Sequence, residues 1–384
     1  MQGVRVLVQG QQRREVAPRA TTWQNRAIAL IPTTCDVLVA WLRPTPPFFI
    51  GGDGISQRLL AEDLVGAGLR VTYVGTYSDP ARDTPQRYLE YTSYLNDTGQ
   101  PYASSGFRSP LVYERQGLSC AMVHEGEFWH TLRSILRGRP RYLLTAQEHS
   151  DRIAELGKEY GAQVVAWLHS GTDIGMLALR GLPHRALATS AFVQQLAVAR
   201  YGVTADLFYP PFRPVLERFR PGEDVGMFNP IPSKGVATFL ALARELRARS
   251  FVAVEGWYPV SLPTHDLERN VRYVPRVMNP DEAFSRMRVL LVPSVAPEGF
   301  GRVVVEAGLR GLPYIVSSSG ALPEAAGDHA SSIDPHDSRE WRLALQALDD
   351  RGNYVSAASQ ARLHAQRFVR DTVAELRAAK VLRD

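Results

Sequence analysis

Glu298 and Glu306 bracket a glycine-rich turn in the run Pro297-Glu298-Gly299-Phe300-Gly301-Arg302-Val303-Val304-Val305-Glu306-Ala307. Gly299 and Gly301 allow a ligand to come close to the backbone. If a helix opens at Arg302, its first N–H groups and its positive dipole end suit a phosphate. Glu306 then shares a face with Arg302, and helical side chains lean toward the N-terminus where such a ligand sits. Glu298 precedes the helix and can meet the ligand from the other side. A plainer reading fits the same residues, with Glu306 a solvated helix glutamate and Glu298 an acid favoured by the dipole. The local pattern does not separate the two.

The flanking residues define the elements that must hold this turn. The apolar run 289–293 reads as a buried strand and 302–310 as a helix, giving strand, loop, helix. Toward the N-terminus, 36–42 reads as a strand leading through a proline-rich loop and Gly51-Gly52-Asp53-Gly54 into a helix over 56–65, followed by a strand over 69–74. Further strands are expected at 142–145, 163–168 and 185–189, with helices from residue 151 and up to residue 200. The proline-rich, polar stretch 206–224 has the composition of an interdomain linker. A second alternating series then follows: strands at 225–228, 251–254, 271–274 and 313–316, and a helix from residue 233. Such alternation predicts an α/β fold of two doubly wound, Rossmann-like domains, with ligands at the carboxyl ends of the strands.

Composition agrees with a globular chain of this size. The 384 residues are 45% hydrophobic and 22% charged, with a net charge of +5, so two domains are expected and no nucleic-acid-binding arm is apparent. Cys35 and Cys120 are the only cysteines, too few for a disulfide framework or a cysteine-rich metal site. With no signal peptide pattern and no long apolar span, a cytoplasmic location is expected. Basic character is almost all arginine; the lysines are Lys158, Lys234 and Lys380.

Several chemistries find no motif. Gly51-Gly52-Asp53-Gly54 lacks the third glycine of a dinucleotide fingerprint, which would fall at Gln57. Asn229-Pro230-Ile231-Pro232-Ser233-Lys234-Gly235 has a lysine without a Walker A glycine cradle. There is no Asp-x-Asp pair, no zinc HExxH and no Gly-x-Ser-x-Gly. No metal is expected.

The ordered series from 270 to 337 resembles the nucleotide-binding domain of the retaining GT-B glycosyltransferases of the large E-x7-E family (family 4, "group 1"). It consists of the Glu298 to Glu306 element, then Gly311-Leu312-Pro313-Tyr314-Ile315-Val316, then Ser319-Gly320-Ala321-Leu322-Pro323-Glu324. Asn229 to Gly235 is similar to the family's G-R-x-x-x-x-K-G segment, with Lys234 in the lysine position and Asn229 where the phosphate-binding arginine usually stands. Gly51-Gly52 matches the family's first-domain glycine loop, and His169 the histidine after a mid-domain strand. The resemblance covers roughly 36–365. It implies an N-terminal acceptor-binding domain over 1–208, with 1–35 an extension of unknown role. A nucleotide-sugar-binding domain then spans 209–365, and a C-terminal helix over 366–384 crosses back.

On this resemblance the activity is hexosyl transfer from a UDP-, GDP-, ADP- or TDP-sugar to an acceptor hydroxyl with retention and without a metal. His169, Lys234 and Glu298 take the catalytic positions. Gly51, Gly52, Asn229, Lys234, Phe300, Gly301, Arg302, Val303 and Glu306 line the donor: Lys234 at the diphosphate, Glu306 at the ribose hydroxyls, Glu298 with the amides of Phe300 and Gly301 at the sugar. For Arg302, a charge near the phosphates and a solvent-facing side chain are both open. Glu148 and His149 are weaker candidates. The acceptor, whether a small molecule, a saccharide or a lipid-linked molecule, is expected against 77–140, where Tyr88, Tyr91, Tyr94, Tyr102, Phe107, Phe128 and Trp129 suit sugar rings or core packing equally. Arg133, Arg137, Arg139 and Arg141 suit an anionic surface or a solvated helix face. An epimerase or hydrolase of the same fold, with acids in the first domain's cleft, and a noncatalytic partner subunit are the alternatives.

Overall fold

The structure, a computed structural model, describes residues 31–48, 51–77, 84–216, 219–256, 267–277 and 279–383. Most of the N-terminal extension, 1–30, lies outside them.

Nine strands form the first sheet: β1 (Val37–Ala40), β2 (Val71–Thr76), β3 (Tyr102–Ala103), β4 (Leu111–Arg115), β5 (Leu118–Val123), β6 (Tyr142–Thr145), β7 (Gln163–Leu168), β8 (Arg185–Ala188) and β9 (Asp206–Leu207). Their order is β3-β4-β5-β2-β1-β6-β7-β8-β9. From β5 to β9 all pairs are parallel, with Val37 opposite Val71 on one side and Tyr142 on the other. The four residues of β1 are all buried, as expected of a central strand covered by helices on both faces. The edge β3-β4-β5 is antiparallel, which the helix-strand alternation did not predict. Its cause is the two-residue turn Gln116-Gly117, both at positive φ (50° and 78°), which folds β4 back on β5.

Six parallel strands form the second sheet: β10 (Asp224–Phe228), β11 (Phe251–Val254), β12 (Val271–Val274), β13 (Met287–Val292), β14 (Tyr314–Ser317) and β15 (Ser332–Ile333), in the order β12-β11-β10-β13-β14-β15. One mostly parallel sheet and one wholly parallel sheet make this an α/β chain of two Rossmann-like domains.

Two helices differ from their expected bounds. The helix after β1 is Gly52–Gly66, capped by Gly51, so it starts earlier than residue 56; glycines carry no helical signal in sequence. At the C-terminus, Arg351–Gln366 is followed by a separate short helix, Thr372–Ala378, capped by the Asp371 side chain at the Ala374 amide. That short helix packs on the first domain: Val373 and Leu376 join its core, and Thr372 donates to Asp63 Oδ2 at 2.6 Å.

Candidate active site in the interdomain cleft

The carboxyl ends of β10, β13 and β14 bring three loops together. Lys234 ends the turn Pro232–Lys234, and Gly235 follows at φ 80°, packed so closely on the Pro293 carbonyl that a Cβ would overlap it. The Ser233 carbonyl accepts from Val295 N and Ala296 N, both at 3.0 Å. This fixes Lys234 beside the loop after β13. Lys234 Nζ consequently donates to Glu298 Oε1 at 2.6 Å, and Ser294 Oγ donates to the same oxygen at 2.5 Å. The Glu298 backbone in turn accepts from Ala321 N at 2.9 Å. Gly320, at φ 62°, lies against Glu298 where any side chain would clash.

Gly301, at φ 92°, caps the helix Arg302–Leu309, whose first amides have no intrahelical acceptor. Glu306 Oε1 accepts from Arg302 Nε at 3.2 Å, and Oε2 has no partner among the described residues. The Phe300 side chain is not at the helix mouth. It is buried among Tyr209, Phe212 and Phe368, with ring centroids 5.7, 6.1 and 5.2 Å away, so only its backbone is placed for a ligand.

Arg302 does not face solvent. Its side chain, 7% exposed, reaches the first domain at Ser56, to whose Oγ Nη1 donates at 3.1 Å; Nη1 also donates to the Pro211 carbonyl in the linker (2.9 Å), and the guanidinium lies 4.2 Å over the ring of Phe212 beside it. Burial works against its charge and Glu306 supports it. A Cβ on Gly52 would sit 3.3 Å from Arg302 Cδ, so the start of helix Gly52–Gly66 and Arg302 are in contact. Gly51 is the cap beside it.

Asn229 follows β10 at φ 55°, a left-handed backbone that asparagine tolerates far better than most residues. This gives a backbone reason for asparagine where the resemblance places arginine. Its Oδ1 is buried without a partner, against Gly256.

The first domain meets the glutamate loop directly. Gly299 packs on the His169 carbonyl at the end of β7, with no room for a Cβ. Ser190 Oγ donates to the Gly299 carbonyl at 2.6 Å. Part of His169 remains exposed, but its Nε2 is buried without a partner. Enclosure of the ring, then the charges of Arg43 and Arg302, pushes its pKa down to about 3, so the imidazole is neutral.

Nothing in the sequence pointed to Arg43. It follows β1 and holds two acids at the same end of the sheet: Asp53 Oδ2 at 2.8 Å and Glu148, bidentate, at 2.8 and 2.6 Å. Gln147 Nε2 also donates to Asp53 (2.9 Å). Gln147 and His149 both have positive φ, 64° and 54°, so Glu148 sits in a strained loop of the kind found at functional sites. Of the expected acceptor aromatics, Tyr91 and Phe128 are core residues, while Tyr88, Tyr94, Tyr102 and Phe107 are partly buried. Trp129 is half-buried, with Arg152 4.2 Å over its ring and His149 edge-on. Arg137, Arg139 and Arg141 are exposed; Arg133 donates to the Trp129 carbonyl.

With that geometry in place, residues 225–350, which contain Lys234, Glu298 and Glu306, match the family described as Glycosyl transferases group 1. By fold the chain is a GT-B protein, and its second domain matches the group 1 glycosyltransferases. No curated protein sequence matches it. Solved structures similar to this chain include sucrose-phosphate synthase from Thermosynechococcus elongatus, with 16% identity and a TM-score of 0.66 over 90% of this chain and 97% of that one. The Anabaena protein HepE in complex with UDP-glucose is 15% identical with a TM-score of 0.68, over 90% and 99%. The catalytic domain of starch synthase IV from Arabidopsis thaliana, bound to ADP and acarbose, is 11% identical with a TM-score of 0.59, over 90% and 100%. At these identities the likeness is one of fold. Among the described residues, no helix of this chain is long and apolar enough to cross a membrane.

Proposed function

We propose that this glycosyltransferase moves a hexose from a nucleoside-diphosphate sugar to an acceptor hydroxyl, with retention of anomeric configuration and without a metal. The Lys234–Glu298 pair carries the reading: a cation and a carboxylate 2.6 Å apart beside the start of helix Arg302–Leu309. The donor diphosphate would draw Lys234 away from Glu298 and take the amides of Arg302 and Val303. Lys234 would then offset the charge growing on the leaving group. Released, Glu298 would accept sugar hydroxyls together with the amides of Phe300 and Gly301, and Glu306 Oε2 would accept from the ribose. The unpartnered Nε2 of neutral His169 suits a sugar hydroxyl. The acceptor oxygen would attack the anomeric carbon on the face from which the diphosphate departs, passing its proton to a leaving phosphate oxygen. No covalent glycosyl enzyme forms, and the closed cleft excludes water. That HepE and starch synthase IV were solved with UDP-glucose and ADP supports a nucleotide donor.

Asp53 and Glu148 supply the first-domain acids that an epimerase or hydrolase would need, but both are tied to Arg43. A panel of labelled nucleotide sugars, read for product anomer and for donor breakdown without acceptor, tests both readings. Turnover only with acceptor and a retained anomer support transfer, whereas donor breakdown at the full rate without acceptor overturns it. Donor affinity unchanged in Glu306→Ala, or turnover unchanged in Lys234→Ala, would remove the site assignment.

A further inference from the structure

The end of the first sheet opposite the cleft carries a second concentration of charge. β6, β7 and β8 run parallel, so their first residues lie together, away from the ends that hold Glu148, His169 and Ser190. There, a groove of about 820 Å³ is lined by Lys158, His184, Arg185, Arg377, Lys380 and Arg383, with no carboxylate among its lining residues. The side chains come from three separate segments: the helix Ser150–Glu159, the start of β8, and the C-terminal segment from helix Thr372–Ala378 onward.

Arg185 pairs with Asp206 Oδ2 at 2.8 Å; it also donates to the Ala379 carbonyl, while its Nε is buried without a partner. Among the described residues, Lys158, Lys380 and Arg383 have no carboxylate partner. Two of the chain's lysines, Lys158 and Lys380, are here; the remaining one is Lys234. Lys380 is held at φ 56°, a backbone region that lysine rarely adopts. His184 Nδ1 accepts from Val164 N at 2.9 Å, so the neutral ring carries its proton on Nε2 and is a further donor. Like charges converging from separate segments repel one another unless a counter-charge is bound. Guanidinium forks and ammonium groups together match phosphate oxygens.

We propose that this groove is an anion site for a ligand bearing clustered phosphates, distinct from the donor cleft and independent of how that cleft is used. The phosphates belong either to a soluble molecule or to an anionic lipid headgroup at a membrane surface.

Inorganic pyrophosphate is titrated calorimetrically into the full chain with UDP saturating the donor cleft, alongside co-sedimentation with phosphatidylglycerol and phosphatidylcholine vesicles. The triple variant Lys158→Gln, Lys380→Gln, Arg383→Gln is compared with Lys234→Gln, and the single variant Lys158→Glu is a second probe should the triple fail to fold. The groove is supported if pyrophosphate binding, or binding to phosphatidylglycerol vesicles alone, weakens about tenfold or more in the groove variants and persists in Lys234→Gln. The arm that responds assigns the source of the phosphates. The proposal is overturned if the groove variants bind both probes as the unaltered chain does, if neither probe binds, or if Lys234→Gln alone abolishes binding.

Discussion

Glu324, in the second domain, accepts the backbone N–H of Ala191, in the first, with both carboxylate oxygens, at 2.9 and 3.0 Å. Ala191 opens the helix Ala191–Tyr201, so the carboxylate also meets a positive dipole end. Tyr209, in the linker, donates to Glu324 Oε1 at 2.8 Å; burial and then Glu324 raise its pKa to about 12, which keeps the phenol protonated. Glu324 therefore latches the two domains together behind the Glu298 loop.

Replacing Glu324 by Ala removes the latch and shifts the chain toward an open arrangement. Hydrogen bonds to a charged group are worth about 1.5–3 kcal/mol each, so kcat/KM is expected to fall about 10- to 100-fold. X-ray scattering should show a larger radius of gyration. An unchanged radius together with unchanged activity would refute the latch.

Gly299 is hemmed in by the His169 carbonyl. Gly299→Ala pushes the glutamate loop away from β7, and misplacement on the scale of an ångström can cost about 10²-fold in rate. The loss should fall on kcat, with nucleotide affinity nearly intact by calorimetry, because Lys234 and Glu306 are untouched.

His169 makes stability depend on pH in a defined direction. Between its ordinary value of 6.5 and about 3, the unfolded chain holds a proton that the folded chain refuses. More protons on the unfolded state mean that stability falls as pH drops through this window. Urea midpoints taken at about pH 7 and about pH 5 should diverge more for the unaltered chain than for His169→Gln.

Arg302 joins the first domain through Ser56 and holds the linker at Pro211, and a lysine cannot reproduce its forked donors. Arg302→Lys is expected to cost about 1–3 kcal/mol. A double-mutant cycle with Ser56→Ala should show coupling, and strict additivity would place the two side chains in independent roles.

Periodicity made most of the second domain legible. β10, β11, β12 and β13 fall close to the expected bounds because buried parallel strands are short apolar runs separated by glycine and proline. The order Lys234, Glu298, Glu306, Glu324 could also be read in advance, since these residues stand in recognisable local segments. The antiparallel edge β3-β4-β5 was hidden because one turn, Gln116-Gly117, reverses the chain within an otherwise alternating pattern. The final helix is Thr372–Ala378 and not the longer one expected from 366; 366–382 contains no proline or glycine to mark its bounds.

The sequence by itself determined the helix-strand alternation, the glycines that admit close backbone approach, and the carboxylates on either side of Gly301, because these are local properties of a few consecutive residues. Only the tertiary structure decided that Lys234 meets Glu298, that Arg302 turns inward to the first domain, that Arg43 gathers Asp53 and Glu148, and that Glu324 holds Ala191. Each of these contacts joins groups from different elements of the chain. Their partners are set by how two sheets and a linker pack, which no local spacing encodes.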